Sequence, residues 1–219
     1  MIWHPSPNFG PRRNGQTPSL VVLHFTEMTS ARAALTRLCD PQAEVSAHYL
    51  IGRDGTLWQL VRDADRAWHA GAGAWRGRDD VNSRSLGIEL DNDGHSPFSA
   101  PLMQSLESLL RDLFNRHSLT PAAVIAHSDM APTRKVDPGP RFDWQRLARQ
   151  SLALWPTRLG DPVQSLAQNL DTIGYPPAPA EDRLRAFRHR FAPGHDGPEC
   201  AADRALAQAV AEIYQTIEK

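Results

Sequence analysis

Short apolar runs, three to six residues long, recur through the first two thirds of the chain: Leu20 to Phe25, His48 to Ile51, Leu57 to Val61, Leu86 to Leu90 and Val124 to Ala126. Runs of this length between polar and Gly/Pro punctuation predict buried strands. Arg53-Asp54-Gly55-Thr56 separates the second run from the third. Asp-Gly is a two-residue hairpin signal, because glycine takes left-handed angles without steric cost, so these two strands are predicted to be antiparallel neighbours. Helical spacing appears at Ala31 to Leu38 and at Leu102, Leu106, Leu109, Leu110, Leu113 and Phe114, which share one face. Asp143 is a candidate N-cap for a further helix through Trp144 and Leu147. The pattern predicts an α/β fold, a central mixed sheet flanked by helices.

After Trp155-Pro156 the strand-like runs stop. Val163, Leu166, Leu170 and Ile173 form one apolar stripe, Leu184, Phe187 and Phe191 a second, and Leu206, Val210, Ile213 and Ile217 a third. Loops rich in Pro and Gly, Gly174 to Pro179 and Pro193 to Pro198, separate them. The expected division is therefore residues 1–158 as the first domain and 159–219 as a small C-terminal three-helix domain. About 60 residues of amphipathic helix are marginal alone, so this tail is expected to dock on the first domain.

Composition narrows the function more by exclusion than by signal. The 219 residues are 41% hydrophobic and 22% charged, enough for a full core, and the formal net charge is -1 with no Lys/Arg run. Neither nucleic acid nor an anionic membrane is indicated as a partner, and no apolar stretch approaches the ~20 residues of a membrane span. Cys39 and Cys200 make no CxxC pair and read as two ordinary thiols. Met1 to Asn8 has neither a basic n-region nor an apolar h-region. The expectation is a cytoplasmic location for a complete chain, or a periplasmic or outer-membrane-associated one if a signal has been removed. Nothing in the pattern specifies an oligomeric state.

Chemistry concentrates in a few places. His24 and His127 each end an apolar run, where a side chain leaves the sheet edge and can converge with others in a cleft. The loop after His127 is punctuated by Pro132, Pro138 and Pro140 and returns Lys135 and then Asp137. Two imidazoles and a carboxylate are the donor set of a catalytic zinc, which takes three protein ligands and leaves one position open. Glu89 is a carboxylate inside the apolar run Ser85 to Asp91, which requires either an arginine partner such as Arg84 or Arg134, or a role as general base. Lys135 can reach an oxygen that gains charge during attack on a carbonyl. Trp68-His69-Ala70-Gly71 and Trp75-Arg76-Gly77 put rings on a Gly-rich loop, where they can form platforms for sugar faces or substrate walls, although Trp68 could equally plug the core. His4, His95, His117, His189 and His195 read as structural or solvated.

Together these pieces resemble the zinc-dependent N-acetylmuramoyl-L-alanine amidases of the amidase-2 family, of the AmpD/AmiD type and nearer its AmiD branch. The resemblance is carried by Val22-Leu23-His24, Ser46-Ala47-His48-Tyr49-Leu50-Ile51, Ala67-Trp68-His69-Ala70-Gly71, Asn82 to Leu90, and Ala126-His127-Ser128-Asp129 through Pro140. It covers roughly residues 15 to 155. It implies one zinc ion per chain on His24, His127 and Asp137, with Glu89 and Lys135 as catalytic residues. It also implies substrate contacts at His48, Trp68, His69, Asn82 and Arg84. The implied partner is peptidoglycan or its muropeptides, and the implied reaction is hydrolysis of the amide between the lactyl group of N-acetylmuramic (or 1,6-anhydro) acid and L-alanine. The tail resembles the helical peptidoglycan-binding-like domain of that branch. Phage-type members carry a catalytic Tyr just before the residue matching His48, and Ala47 stands there here, so the implied proton chemistry rests on Glu89. The alternative is a non-catalytic peptidoglycan-binding or recognition protein, disfavoured by the complete set of site residues. An unrelated zinc peptidase is disfavoured by the lack of an HExxH motif.

Overall fold

The computed structural model describes residues 1–161 and 163–217. Eight strands are present among them: β1 (Ile2–Trp3), β2 (Phe9–Pro11), β3 (Leu20–Phe25), β4 (Tyr49–Ile51), β5 (Leu57–Gln59), β6 (Asp65–Ala67), β7 (Ser85–Leu90) and β8 (Val124–Ala126). Six form one sheet in the order β1-β5-β4-β7-β3-β8, and β2 and β6 form a separate antiparallel ribbon. In the main sheet β4, β7, β3 and β8 are mutually parallel, while β5 runs against β4. The fold is a mixed central sheet flanked by helices, as the pattern predicts.

The predicted β4–β5 hairpin forms, with a longer turn than the Asp-Gly pair suggests. Gly52 N–H donates to Thr56 O at 2.9 Å, Asp54 Oδ1 accepts from Thr56 N–H at 2.9 Å, and Gly55 takes φ +85°. Ser105 Oγ donates to Gly55 O at 2.6 Å, tying the loop to the helix behind it.

The helices are α1 (Ala31–Cys39), α2 (Val81–Arg84), α3 (Ala100–His117), α4 (His127–Met130), α5 (Trp144–Ala148), α6 (Leu166–Ile173), α7 (Ala180–Phe191) and α8 (Ala201–Ile217). Ser30, Ser99 and Asp143 cap α1, α3 and α5 through their side chains, each accepting a backbone N–H that the helix leaves orphaned. The α6 helix begins later than its stripe suggests, because Ser165 and Gln168 form a capping box there, and Val163 is left exposed outside it. None of the described helices is long and apolar enough to cross a membrane.

Strand alternation splits the core in two. Val21 and Leu23 of β3, Leu86, Ile88 and Leu90 of β7, and Val124 of β8 pack with Leu106, Leu110 and Leu113 of α3 on one face. Leu20 and Val22 of β3 and Ile125 of β8 face the other way, into a core completed by Ile173, Tyr175, Phe187, Val210 and Tyr214. The last three helices therefore roof the sheet, sharing one apolar cluster with it. Trp75 is buried in that cluster with its ring edge-on to Tyr175 and Tyr214, so it plugs the core and does not form a sugar platform.

Candidate metal centre and its cleft

His24, Glu89 and His127 reach one point because three parallel strands end together. The pairing Leu23↔Ala126 puts His127, the next residue after β8, beside His24, and His24↔Glu89 puts the carboxylate on the neighbouring strand. The carboxyl ends of parallel strands are where α/β sheets hold ligands, since the chain diverges there into loops. The loop that follows α4 turns back, with Ser128 N–H donating to Asp137 O at 3.0 Å. Asp137 Oδ2 then lies 3.0 Å from His24 Nδ1 and 2.9 Å from His127 Nδ1, and the two Nδ1 atoms are 2.9 Å apart.

The protons can be assigned from the surrounding hydrogen bonds. His127 Nε2 faces Ala70 O at 3.0 Å, and a carbonyl only accepts, so Nε2 carries the proton and Nδ1 a lone pair. Ser85 Oγ donates to Val81 O at 2.6 Å and must accept from His69 Nε2 at 3.1 Å. His69 Nδ1 is then an acceptor for His24 Nε2–H at 3.0 Å, leaving a lone pair on His24 Nδ1 as well. Burial, reinforced by His127, lowers His24 to about 4 against the pull of Asp137, which keeps it neutral at neutral pH. Burial raises the Asp137 carboxyl, but the two imidazoles beside it outweigh this and hold the group well below the ordinary carboxylate range, so it is an ionised acceptor. Three acceptors converge within 3.0 Å with no proton to share, an arrangement that repels itself unless a cation sits among them. The donor set thus fits a divalent metal ion, and each imidazole has an outer partner that fixes its tautomer, as metal-ligating histidines require.

These residues floor a cleft of about 330 Å³ whose wall also includes Phe25, Trp68, His69, Glu89, Arg134 and Lys135. Neither arginine candidate pairs with Glu89. Arg84 donates to Trp75 O and Arg78 O, Arg134 to Ala70 O and Ala72 O, and Glu89 Oε2 is buried without a hydrogen-bond partner. Burial and the charge of Asp137 raise Glu89 to about 8, with Lys135 opposing them. A carboxyl in that range can both accept and return a proton near neutral pH.

The other sequence candidates divide. Trp68 and His69 line the cleft, His69 also acting as the outer partner of His24. Its ring lies across β7, where a Cβ on Gly87 would come within 2.3 Å of it, so glycine is required there. His48, Asn82 and Arg84 are buried behind the wall. His48 Nδ1 accepts from Gly87 N–H, and Asn82 Oδ1 accepts from His69 N–H and Ala70 N–H, holding the segment that presents His69 and Ala70 O. Sequence reasoning missed Asp129, which caps Ala126 N–H and pairs with Arg190 and Tyr175 from the roof. Its only signal was a carboxylate two residues after His127.

The family description N-acetylmuramoyl-L-alanine amidase matches residues 14–140, which include every residue of this centre. The chain belongs to the amidase-2 family. This amidase is an enzyme that hydrolyses amides, and its likeness extends beyond the matched segment. It is 36% identical to the N-acetylmuramoyl-L-alanine amidase AmiD of Escherichia coli K12, covering 89% of this chain and 83% of that one. To the 1,6-anhydro-N-acetylmuramyl-L-alanine amidase AmpD of the same organism it is also 36% identical, over 65% of this chain and 87% of that one. Among solved structures, E. coli AmiD in complex with the substrate anhydro-N-acetylmuramic acid-L-Ala-D-γ-Glu-L-Lys superposes with a TM-score of 0.82 at 33% identity, covering 92% of both chains. AmpDh3 from Pseudomonas aeruginosa superposes at 0.83 and 27% identity, covering 93% of this chain and 94% of that one.

Proposed function

We propose that this amidase cleaves the bond between the lactyl group of N-acetylmuramic acid, ordinary or 1,6-anhydro, and the L-alanine of a stem peptide, with zinc as its metal. The observation that carries the reading is the convergence of His24 Nδ1, His127 Nδ1 and Asp137 Oδ2 beside the unpaired carboxyl of Glu89. Two imidazoles and one carboxylate, with one side open to a cleft, suit a catalytic zinc better than the oxygen-rich cages of calcium or magnesium. Zinc held there supplies Lewis acidity, bringing the pKa of water towards ~7 and polarising a carbonyl oxygen.

The chain's own residues do the rest. Glu89 takes the proton of the attacking water and returns it to the departing amine of L-alanine, so one carboxyl serves as base and then as acid. Lys135 faces the carbonyl oxygen as its negative charge grows. Trp68 offers an apolar wall for the sugar or lactyl group, and Arg37 at the rim offers a positive charge to the carboxylates of a stem peptide. The same reading treats residues 1–158 as the catalytic domain and 159–219 as a helical, peptidoglycan-binding-like domain.

The test joins metal analysis with product analysis. One zinc per chain, loss of hydrolysis on chelation, recovery with zinc, and release of intact stem peptide from defined muropeptides are expected. Metal-free protein that binds sacculi without releasing peptide would favour a recognition protein instead.

A further inference from the structure

The loop that carries His127, Lys135 and Asp137 is gripped by a single helix of the roof. Arg190 of α7 donates to Val124 O at 2.9 Å and to Asp129 Oδ2 at 2.5 Å, bracketing His127 from both sides. Arg185, on the same helix, donates to Pro132 O at 2.7 Å. His189, one turn after Arg185, lies beside the backbone of Val136, with its Nδ1 buried without a partner. Tyr175, before α7, adds its hydroxyl to Asp129 Oδ1 at 2.7 Å.

The bonds from α7 fall at residues 124, 129 and 132, with His189 beside residue 136, while the side chains of 127, 135 and 137 line the cleft between them. A loop outside the sheet has no ladder to fix its carbonyls, and the Arg185 grip is on one of them, Pro132 O. Its other bonds are Arg134 N–H and Lys135 N–H to Ala131 O, Ser128 N–H to Asp137 O, and the Arg134 side chain to Ala70 O and Ala72 O, all of them on the cleft side. The α7 contacts add the anchors on the side facing the roof.

We propose that α7 is a positioning element of the catalytic site and that Arg185 and His189 are positioning residues, holding the Ala131–Asp137 loop in the shape that presents Lys135 and Asp137. The roof helices thus take part in amide hydrolysis itself, through the metal-ligand loop, whatever else they bind. This rests on the assignment of His24, His127 and Asp137 as metal ligands.

Arg185 and His189 are only partly buried, so their removal leaves the roof core intact. The experiment uses the full chain as wild type, the double variant R185A/H189A, R185A and R185K. In metal-free protein, amide exchange at Arg134 and Lys135 is measured relative to amides in the middle of α3. Zinc affinity follows by competition with a chromophoric chelator, and kcat and KM on a muramyl tripeptide complete the set.

In the double variant, the loop amides are expected to exchange at least tenfold faster relative to α3. Zinc binding weakens at least tenfold, and kcat falls while KM stays within twofold. R185K, which keeps a donor, recovers at least half of each loss on a logarithmic scale relative to R185A. Loop exchange rising only in step with α3, or zinc affinity within twofold of wild type, overturns the proposal and leaves Arg185 and His189 as ordinary stabilising residues. Failure of the wild-type chain to bind zinc strikes the metal assignment instead, and the exchange ratio in metal-free protein still judges the clamp.

Discussion

His24 and Glu89 stand directly opposite each other on adjacent parallel strands, in the register that places a lone pair of one and the unpaired carboxyl of the other on the same face of the sheet. Because side chains alternate with a period of two, a slip of either strand by a single residue would turn its member of the pair into the α3 core. The imidazole and the carboxyl are held by backbone pairing, without a hydrogen bond between them.

Replacement of Glu89 by Gln tests the acceptor. The amide is nearly isosteric but cannot take a proton, so folded protein with wild-type zinc content and a kcat lower by ~10²–10⁴ is expected. Steady-state rates at saturating muramyl peptide, with metal content measured on the same preparation, decide it. A rate within tenfold of wild type rejects the assigned role.

His69→Ala addresses the outer partner of His24. With His69 Nδ1 gone, nothing holds the His24 tautomer that leaves Nδ1 free. Loss of such a partner costs about 10–100-fold in metal affinity. Chelator competition should read that loss, with KM for the peptide changing far less than the zinc dissociation constant. The reverse pattern, unchanged zinc and a raised KM, would assign His69 to substrate contact alone.

Lys135→Ala removes the positive charge expected to meet the developing oxyanion. A drop of ~10² or more in kcat is expected, by analogy with loss of one oxyanion donor. If KM alone rises, Lys135 binds substrate and does not stabilise the transition state.

Acid sensitivity should trace to Asp203. Burial raises its carboxyl, but bonds from Arg188 at 3.0 and 2.6 Å and from Cys200 N–H outweigh this and hold the group below its ordinary value. A depressed folded-state pKa contributes stability above the unfolded value of ~3.9 and loses it as pH falls through the folded one. Asp203→Asn should therefore cost about 3 kcal/mol at pH 7, the order expected for breaking one side of a buried pair. Urea unfolding should find that deficit shrinking steadily as pH falls from about 5 to 2. A deficit that does not change with pH would point to packing rather than charge.

Cutting the chain after residue 158 strips the roof from Leu20, Val22, Trp75, Ile125 and Met130, all buried against it. The first segment alone is expected to be insoluble or molten, judged by near-UV circular dichroism and by solubility after expression. A well-folded, zinc-binding fragment would show that the roof is dispensable.

The sheet, α3 and the convergence of His24, His127 and Asp137 were legible because each rests on a local pattern: His24 and His127 end apolar runs, Glu89 interrupts one, and Asp137 follows a Pro-punctuated return. Arg190 was not legible. It sits among Arg183, Arg185 and Arg188 in a helix that reads as a solvated, charged face, and its carboxylate partner lies 61 residues away in sequence. Trp75 misled for a related reason, since a ring in a Gly-rich loop looks exposed until Tyr175 and Tyr214 close over it. The short strands β1, β2 and β6, two or three residues each, carry too little alternation to be seen.

The shared core also sets a timetable for synthesis. The last cleft residue, Asp137, leaves the ribosome well before Tyr214, whose ring completes the apolar cluster over β3 and β8. At about 5–20 residues per second, the sheet face bearing Leu20, Val22 and Ile125 stays bare for roughly 4 to 15 s. During that interval the nascent chain presents a half-covered sheet to its neighbours, which makes it a natural client for chaperones that bind apolar surface. Lowering the expression temperature should therefore raise the yield of soluble protein.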